Sequence, residues 1–192
     1  YRGYRRGFKR LVRLVEKATE TIESRYPADG DDAPYFWWAR STTNILDLLE
    51  VIAAMDTDES HSYLMGLAGP DSHPAVLISA LESMNAEMDK FEPDFVLRLI
   101  TDPGLSDPIH YELLYVMLTQ SSRFESHDYV DAILPFVDHP DHNLFDLAVD
   151  ALGRKRRGER QLRRRYEELR AEGKMEPDRL ADFASRLADA EI

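Results

Sequence analysis

This chain has 192 residues, of which 43% are hydrophobic and 31% charged, and this balance is typical of one globular domain and excludes a disordered chain. Its net charge of −12 repels the phosphate backbones of nucleic acids and favours association with basic surfaces. The absence of cysteine excludes disulfides and cysteine-ligated zinc. No apolar run approaches the ~20 residues of a membrane span, and the sequence shows no signal peptide. We therefore predict a cytoplasmic protein without a membrane partner.

The first predicted element is a basic amphipathic helix over residues 1–26. Its apolar positions recur at three- and four-residue steps, from Phe8 through Val15 to Ile22. Residues 1–25 carry eight Lys/Arg and three Asp/Glu, and residues 154–192 carry twelve and nine. Between them lie only four basic residues and 24 carboxylates. Both ends of the chain are therefore basic, and the acidity is concentrated in the middle.

A loop at residues 27–34 and a second helix over residues 35–55 complete a predicted N-terminal helical pair at 1–57. The run Tyr35-Phe36-Trp37-Trp38 cannot turn all four aromatic rings inward on one helix. We therefore expect at least one ring to be exposed or covered by the first helix. No stretch of the chain shows sustained strand alternation, which predicts an all-α protein.

From about residue 60 the predicted helices are short and paired. Each of three pairs consists of an apolar helix, a turn rich in Pro and Asp, and a second helix. The turn prolines Pro70, Pro103 and Pro140 are 33 and then 37 residues apart. This period is typical of solenoids in which one helical pair buries its apolar face only by stacking on the next.

The second helix of a pair ends in an Ala-x-x-Ala-Leu pattern at Ala148, Ala151 and Leu152, and in part at Ala80 and Leu81. Over residues 60–153 this arrangement resembles HEAT repeats. The resemblance implies a short right-handed α-solenoid of about three hairpins, whose second helices line a concave, ligand-facing wall. The chain departs from the HEAT pattern because no arginine follows the turn in any pair, which leaves the acidity uncompensated.

The sequence pattern of residues 154–192 predicts a basic helix, followed by a second helix that caps the end of the stack. The arginines of the basic helix either neutralise the acidic body of the same protein or bind the phosphates of a nucleic acid. The second interpretation assigns phosphate binding to Arg157, Arg160, Arg163, Arg164 and Arg165. The same two alternatives stay open for the basic residues of the first helix, which are Arg2, Arg5, Arg6, Lys9, Arg10 and Arg13.

The segment DHPDH (138–142) suggests either a ligand cluster or a turn. Its two histidines, His139 and His142, are separated by a proline and do not lie four apart on one helical face, as in common zinc motifs. An Asp before a helix accepts hydrogen bonds from free N–H groups, and a Pro ends the preceding helix. We predict a turn, with no metal site and no other cofactor.

Stacked second helices would align their polar side chains into an acidic surface for a basic protein partner. The alternatives are a solvated face and, for the tyrosines, packing in the core. Paired carboxylates can perform acid/base catalysis, but nothing in the sequence singles out two of them. The predicted partner-binding residues are Glu82, Glu87, His110, Tyr111, Glu112, Tyr115, Asp146 and Asp150.

The chain contains no nucleophile paired with a base and no phosphate-binding glycine loop, so we predict a non-catalytic protein–protein interaction module. One concrete form is an immunity protein that neutralises a cationic nuclease toxin, since small acidic helical-repeat proteins of bacterial toxin systems are similar in size and charge. The alternative is a nucleic-acid-binding helical-repeat protein that uses the basic terminal helices, as helical-repeat DNA glycosylases do. An enzyme similar to the HEAT-repeat hydroxylases with histidine-bound metal is disfavoured, because their paired His-Glu dipeptides do not occur.

Overall fold

The computed structural model describes residues 2–26, 40, 43–87, 92–173 and 175–189. Every regular element in these ranges is helical and none is a strand, which confirms the all-α prediction. Among the described residues, no helix is both long and apolar enough to cross a bilayer. Two 3₁₀ helices cover Ser121–Arg123 and Leu134–Asp138. The α-helices are α1 (Arg2–Arg25), α2 (Ile45–Ala53), α3 (Asp58–Leu67), α4 (Pro74–Glu87), α5 (Pro93–Ile100), α6 (Asp107–Thr119), α7 (Ser126–Ile133), α8 (His142–Gly153), α9 (Arg156–Glu172) and α10 (Pro177–Asp189).

The chain divides into two compact units. The first contains residues 1–92 and 104–112, and the second contains residues 93–103 and 113–192. Their boundaries do not coincide with the predicted segments of a single domain, which end at residues 57, 153 and 192. The difference arises because α5 packs against α7, in the second unit.

In the first unit, α2 is the central helix and contacts α1, α3 and α4. Val15 and Ile22 of α1 and Ile45, Leu49 and Ile52 of α2 are fully buried. On each helix these residues recur at intervals of three, four or seven, so each helix turns one apolar stripe inward. Burying side chains of this size stabilises a fold by about 1.5–3 kcal/mol each.

One histidine ties the end of α1 to the start of α4. The Nε2 atom of His73 lies 2.7 Å from the carbonyl oxygen of Tyr26, and its Nδ1 accepts a hydrogen bond from the N–H of Ala75 at 3.2 Å. Because Nδ1 is the acceptor, Nε2 carries the proton and donates to Tyr26, which defines a neutral tautomer. The side chain is buried.

In the second unit, α10 packs on α8 and α9 through one aromatic side chain. Phe183 is fully buried, and its ring centroid lies 5.5 Å from those of Phe145 and Tyr166, both in edge-to-face geometry. The guanidinium of Arg179 lies 4.4 Å above the Phe145 ring. A T-shaped aromatic pair of this kind stabilises the fold by about 0.5–1.5 kcal/mol beyond the stabilisation that comes from the area it buries.

The junction between α8 and α9 requires a glycine. Gly158, in the first turn of α9, lies against the backbone of Leu152. A Cβ added there would stand 2.8 Å from the carbonyl carbon of Leu152 and still closer to its oxygen. Only a residue without a side chain therefore allows the two helices to approach this closely.

Two predicted helices are interrupted. The helix predicted over residues 35–55 breaks at Asn44, whose φ of 50° and ψ of 31° are left-handed, and α2 begins at Ile45. Asn tolerates this conformation better than most residues, and Thr43 before it donates a hydrogen bond from its hydroxyl to the carbonyl oxygen of Arg40 at 3.5 Å. The aromatic run at 35–38 lies outside the described residues. Pro135 lacks an N–H group, so the helix expected to continue from α7 tightens into the second 3₁₀ helix.

The DHPDH segment forms a turn, as predicted. Asp141 caps α8, because one of its carboxylate oxygens accepts hydrogen bonds from the N–H groups of Asn143 at 2.8 Å and Leu144 at 3.1 Å. The Nδ1 atom of His139 accepts from the N–H of Asp141 at 3.2 Å. Asp141 and His139 thus stabilise the turn that starts α8.

Candidate functional site

Three of the predicted surface residues lie inside the first unit or at its edge. Glu112 and His110 are each 8% exposed, and the side chain of Glu82 is 25% exposed. The expected exposure is therefore wrong for Glu112 and His110. The helical period explains it, since Glu112 lies three residues after Ile109 and four before Val116, both of which are buried.

One arginine influences both Glu82 and the buried Glu112. Arg40 is 5% exposed and forms an ion pair with Glu82. Burial and the nearby charge of Glu82 raise the pKa of Glu112 to about 7, against a smaller lowering by Arg40. Such a carboxyl can exchange a proton near neutral pH, as general acids and bases do, but structural ion-pair networks shift pKa values in the same way. The direct consequence is that the stability of the first unit depends on pH.

The predicted Asp146 and Asp150 are bound by an arginine of the same chain. The guanidinium of Arg186 lies 3.0 Å from a carboxylate oxygen of Asp146, 3.0 Å from one of Asp150 and 3.1 Å from one of Asp182. Burial lowers the pKa of Arg186, but the hydrogen bond to Asp182 and the charges of Asp146 and Asp150 raise it above its ordinary value. The two predicted carboxylates are thus largely compensated within the second unit.

The same cluster has the spacing of a metal site. His142, Asp146 and Asp182 each offer a ligand atom, and these atoms lie within 4.8 Å of one another. Two of the three groups already bind Arg186. Because the guanidinium supplies positive charge at this position, a metal ion would have to displace it.

Arg186→Gln is expected to lower the free energy of unfolding by about 1–2 kcal/mol, because three carboxylates would lose the cation they share while the site is only partly screened by water. Urea unfolding at low and high NaCl measures this, and the loss should shrink as salt screens the repulsion. The matched control is Arg164→Gln, since Arg164 is 75% exposed and, among the residues that the structure describes, its ion pair is with Glu168 on its own helix. Equal effects of the two variants would contradict the assigned role of Arg186.

The two predicted tyrosines are exposed. Tyr111 and Tyr115 lie one turn apart on α6 and are 39% and 43% exposed, so neither packs in a core. Their role in partner binding stays a prediction. The side chain of Glu87 lies outside the described residues.

Four of the five arginines predicted to bind phosphate form ion pairs within the described part of the second unit. Arg165 donates a hydrogen bond from Nε to Asp138 at 2.9 Å, and this bond and one to Glu168 raise its pKa above the ordinary value. The other pairs are Arg157–Asp131 at 3.6 Å, Arg163–Glu159 at 3.1 Å and Arg164–Glu168 at 2.9 Å. Arg157 and Arg165 thus reach carboxylates of the acidic middle of the chain, as the neutralising interpretation expects, whereas Arg163 and Arg164 pair with acids of α9 itself.

The acidity of the first unit is not compensated in this way. Beyond α1, its described residues (40, 43–87, 92 and 104–112) contain eleven carboxylates and one basic residue, Arg40. Within those ranges Arg40 pairs with Glu82 and His61 lies 3.1 Å from a carboxylate oxygen of Asp56, and no other lysine or arginine accompanies these acids there. The eleven are Asp47, Glu50, Asp56, Asp58, Glu59, Asp71, Glu82, Glu87, Glu92, Asp107 and Glu112.

The outer side of α2 carries the clearest surface of this kind. Asp47 and Glu50 are exposed and form no ion pair or hydrogen bond through their side chains in the described part of the chain, and Val51 beside them is 50% exposed. We call these three residues the α2 acidic face. Sequence reasoning missed it, although spacings of three and four place the three residues opposite the Ile45 and Leu49 stripe.

Comparison with protein-family models, with curated proteins and with solved structures gives no significant match to this chain.

Proposed function

We propose that this protein is a non-catalytic protein–protein interaction module that holds a basic protein on the α2 acidic face, within a HEAT-like stack of helical hairpins. The observation that carries the proposal is the charge of the first unit, where eleven carboxylates accompany one arginine in the described residues beyond α1. Uncompensated exposed carboxylates favour association with a cationic surface.

The composition of the α2 acidic face supports a protein as the partner. Protein interfaces combine apolar contacts in the centre with a polar, complementary rim. Val51 provides an exposed apolar contact, and Asp47 and Glu50, four residues and one residue before it, provide the charge next to it on the same side of α2. Complementary charge of this kind mainly accelerates association.

In its most concrete form, the proposal is a cytoplasmic immunity protein that neutralises a cationic nuclease toxin. A nuclease binds phosphate through basic side chains, and the carboxylates of the α2 acidic face would compete for that basic surface. Such a complex would form rapidly and weaken as salt is added.

The test begins with capture on the immobilised chain from native lysate at about 150 mM NaCl, the ionic strength of cells, followed by identification of the bound protein. We expect a protein of strongly basic composition. Calorimetry with that purified partner should then give about tenfold weaker binding for Asp47→Asn/Glu50→Gln, mainly through slower association.

The matched control is Asp94→Asn/Glu125→Gln, which removes two exposed carboxylates from the second unit and should leave the affinity unchanged. Capture of acidic or neutral proteins alone would contradict the proposal. Equal weakening by the two double variants would show that overall charge, and not the α2 acidic face, determines binding.

A further inference from the structure

The first helix carries a strongly basic exposed face. At ~100° per residue, its basic side chains fall within ~140° of the helix circumference, opposite the buried Phe8, Val15 and Ile22. From Arg5 to Lys17 the face is about 18 Å long. All of its members are exposed. We call this set the α1 basic face; it consists of Arg5, Arg6, Lys9, Arg10, Arg13 and Lys17.

These six side chains form no ion pair or hydrogen bond with any described residue, unlike most of the predicted phosphate-binding arginines of α9. Several are three or four residues apart, as in Arg6–Arg10 and Arg13–Lys17, and like charges at this spacing destabilise a helix by about 0.2–0.5 kcal/mol per pair. Glu16 also falls within this arc, three residues after Arg13, but it forms no ion pair with these six side chains, so the face keeps a strong excess of positive charge. An anionic partner would relieve the repulsion.

The apolar residues of α1 decide what kind of anionic partner fits. Interfacial helices bind membranes by inserting their apolar face, but here that face is buried in the first unit. A protein interface needs apolar or aromatic contacts at its centre, and the only large exposed hydrophobic residue of the described part of α1 is Leu14. A phosphate backbone requires only positive charge.

We propose that the α1 basic face binds the phosphate backbone of a nucleic acid, without selecting a base sequence. Base selection uses bidentate or stacking contacts in a groove, typically from arginine together with Asn, Gln or aromatic side chains. The face contains neither amides nor aromatic rings. This function goes beyond the binding of a basic protein and uses a different helix.

The net charge of −12 does not prevent this interaction. At physiological salt the Debye length is about 8 Å, so a phosphate at the surface responds chiefly to the charges closest to it. The same screening predicts that binding is strong only at low to moderate ionic strength.

The experiment is fluorescence anisotropy with a short labelled DNA duplex and the matching single strand, titrated with the full chain between about 50 and 200 mM NaCl. The triple variant Arg6→Gln/Arg10→Gln/Arg13→Gln removes three cations from the exposed face. We expect at least about tenfold weaker binding at the lowest salt, and a slope of log K against log[NaCl] that is smaller by about 2–3, since each phosphate neutralised on a duplex contributes about 0.9.

The matched control is Arg154→Gln/Arg156→Gln/Arg160→Gln, which removes the same charge from the basic region of the second unit. It should retain most of the affinity and the salt slope, and circular dichroism should give the same helix content for both variants. Loss of binding with the control triple alone, or equal binding by wild type and the α1 triple, would overturn the proposal. Binding to phosphatidylserine vesicles with none to either nucleic acid would also overturn it. The capture of a basic protein tests the α2 acidic face, which lies on a different helix. Failure of that experiment and failure of the nucleic-acid binding test can therefore be told apart.

Discussion

Replacing Gly158 with alanine will lower the free energy of unfolding by about 2–3 kcal/mol. A Cβ at this position would overlap the carbonyl group of Leu152, which is backbone and cannot rotate away. This overlap can be removed only if α9 moves away from α8. That movement would loosen the packing of Leu162 and Leu169, which are both buried on α9. The higher helix propensity of alanine returns only about 1 kcal/mol. Urea unfolding should give a lower midpoint with an unchanged m-value.

The control for this substitution is Gly153→Ala. Gly153 is the last residue of α8, and a Cβ added there meets nothing within 4 Å. We expect no loss of stability and a gain of about 0.5 kcal/mol, because alanine restricts the unfolded chain more than glycine does. A Gly158→Ala protein as stable as the wild type would contradict the close approach of α8 and α9.

Between pH 5 and pH 8 the stability of the wild-type protein will fall because of Glu112. Its pKa is about 7 in the folded protein against 4.5 ordinarily, so the folded state retains a proton that the unfolded state releases. The contribution is complete below pH 4.5 and is lost as pH rises through 7. At 1.36 kcal/mol per pKa unit, the full loss is about 3 kcal/mol.

Glu112→Gln tests this directly, because the amide has nearly the same shape and does not ionise. At pH 8 the variant should be more stable than the wild type by about 1–3 kcal/mol, and at pH 5 the two should differ little. Glu50→Gln is the control, since it removes an exposed carboxylate of the same unit and should preserve the wild-type slope. Parallel stability profiles for wild type and Glu112→Gln would mean that another group causes the pH dependence.

The features of the fold that sequence predicted are those that local signals encode. Asp141 caps α8 because a carboxylate before a helix reaches the free N–H groups, whatever packs around it. The all-α class followed from periodicity in the same way. The break at Asn44 could not be predicted, because the apolar spacing runs through it and does not distinguish a left-handed Asn from a helical one.

The candidate site was harder to predict, because the exposure of a charged residue depends on distant partners. Asp146 and Asp150 have the spacing of an exposed pair, and only the packing of α10 brings Arg186 to them. Glu112 is different, since its position between Ile109 and Val116 on the apolar face of α6 already indicated burial. The identity of its neighbours Glu82 and Arg40 required the folded structure.

The opposed charges of the first unit also have a physical consequence at long range. The first half of α1 carries positive charge, whereas the described residues of the first unit beyond the end of α1 carry eleven carboxylates and one arginine. Separated charges of this size form a permanent dipole moment. The electric field of an approaching ion or macromolecule exerts a torque on that dipole. At low ionic strength this torque orients the first unit before contact, so that encounters with a charged partner are not random in orientation.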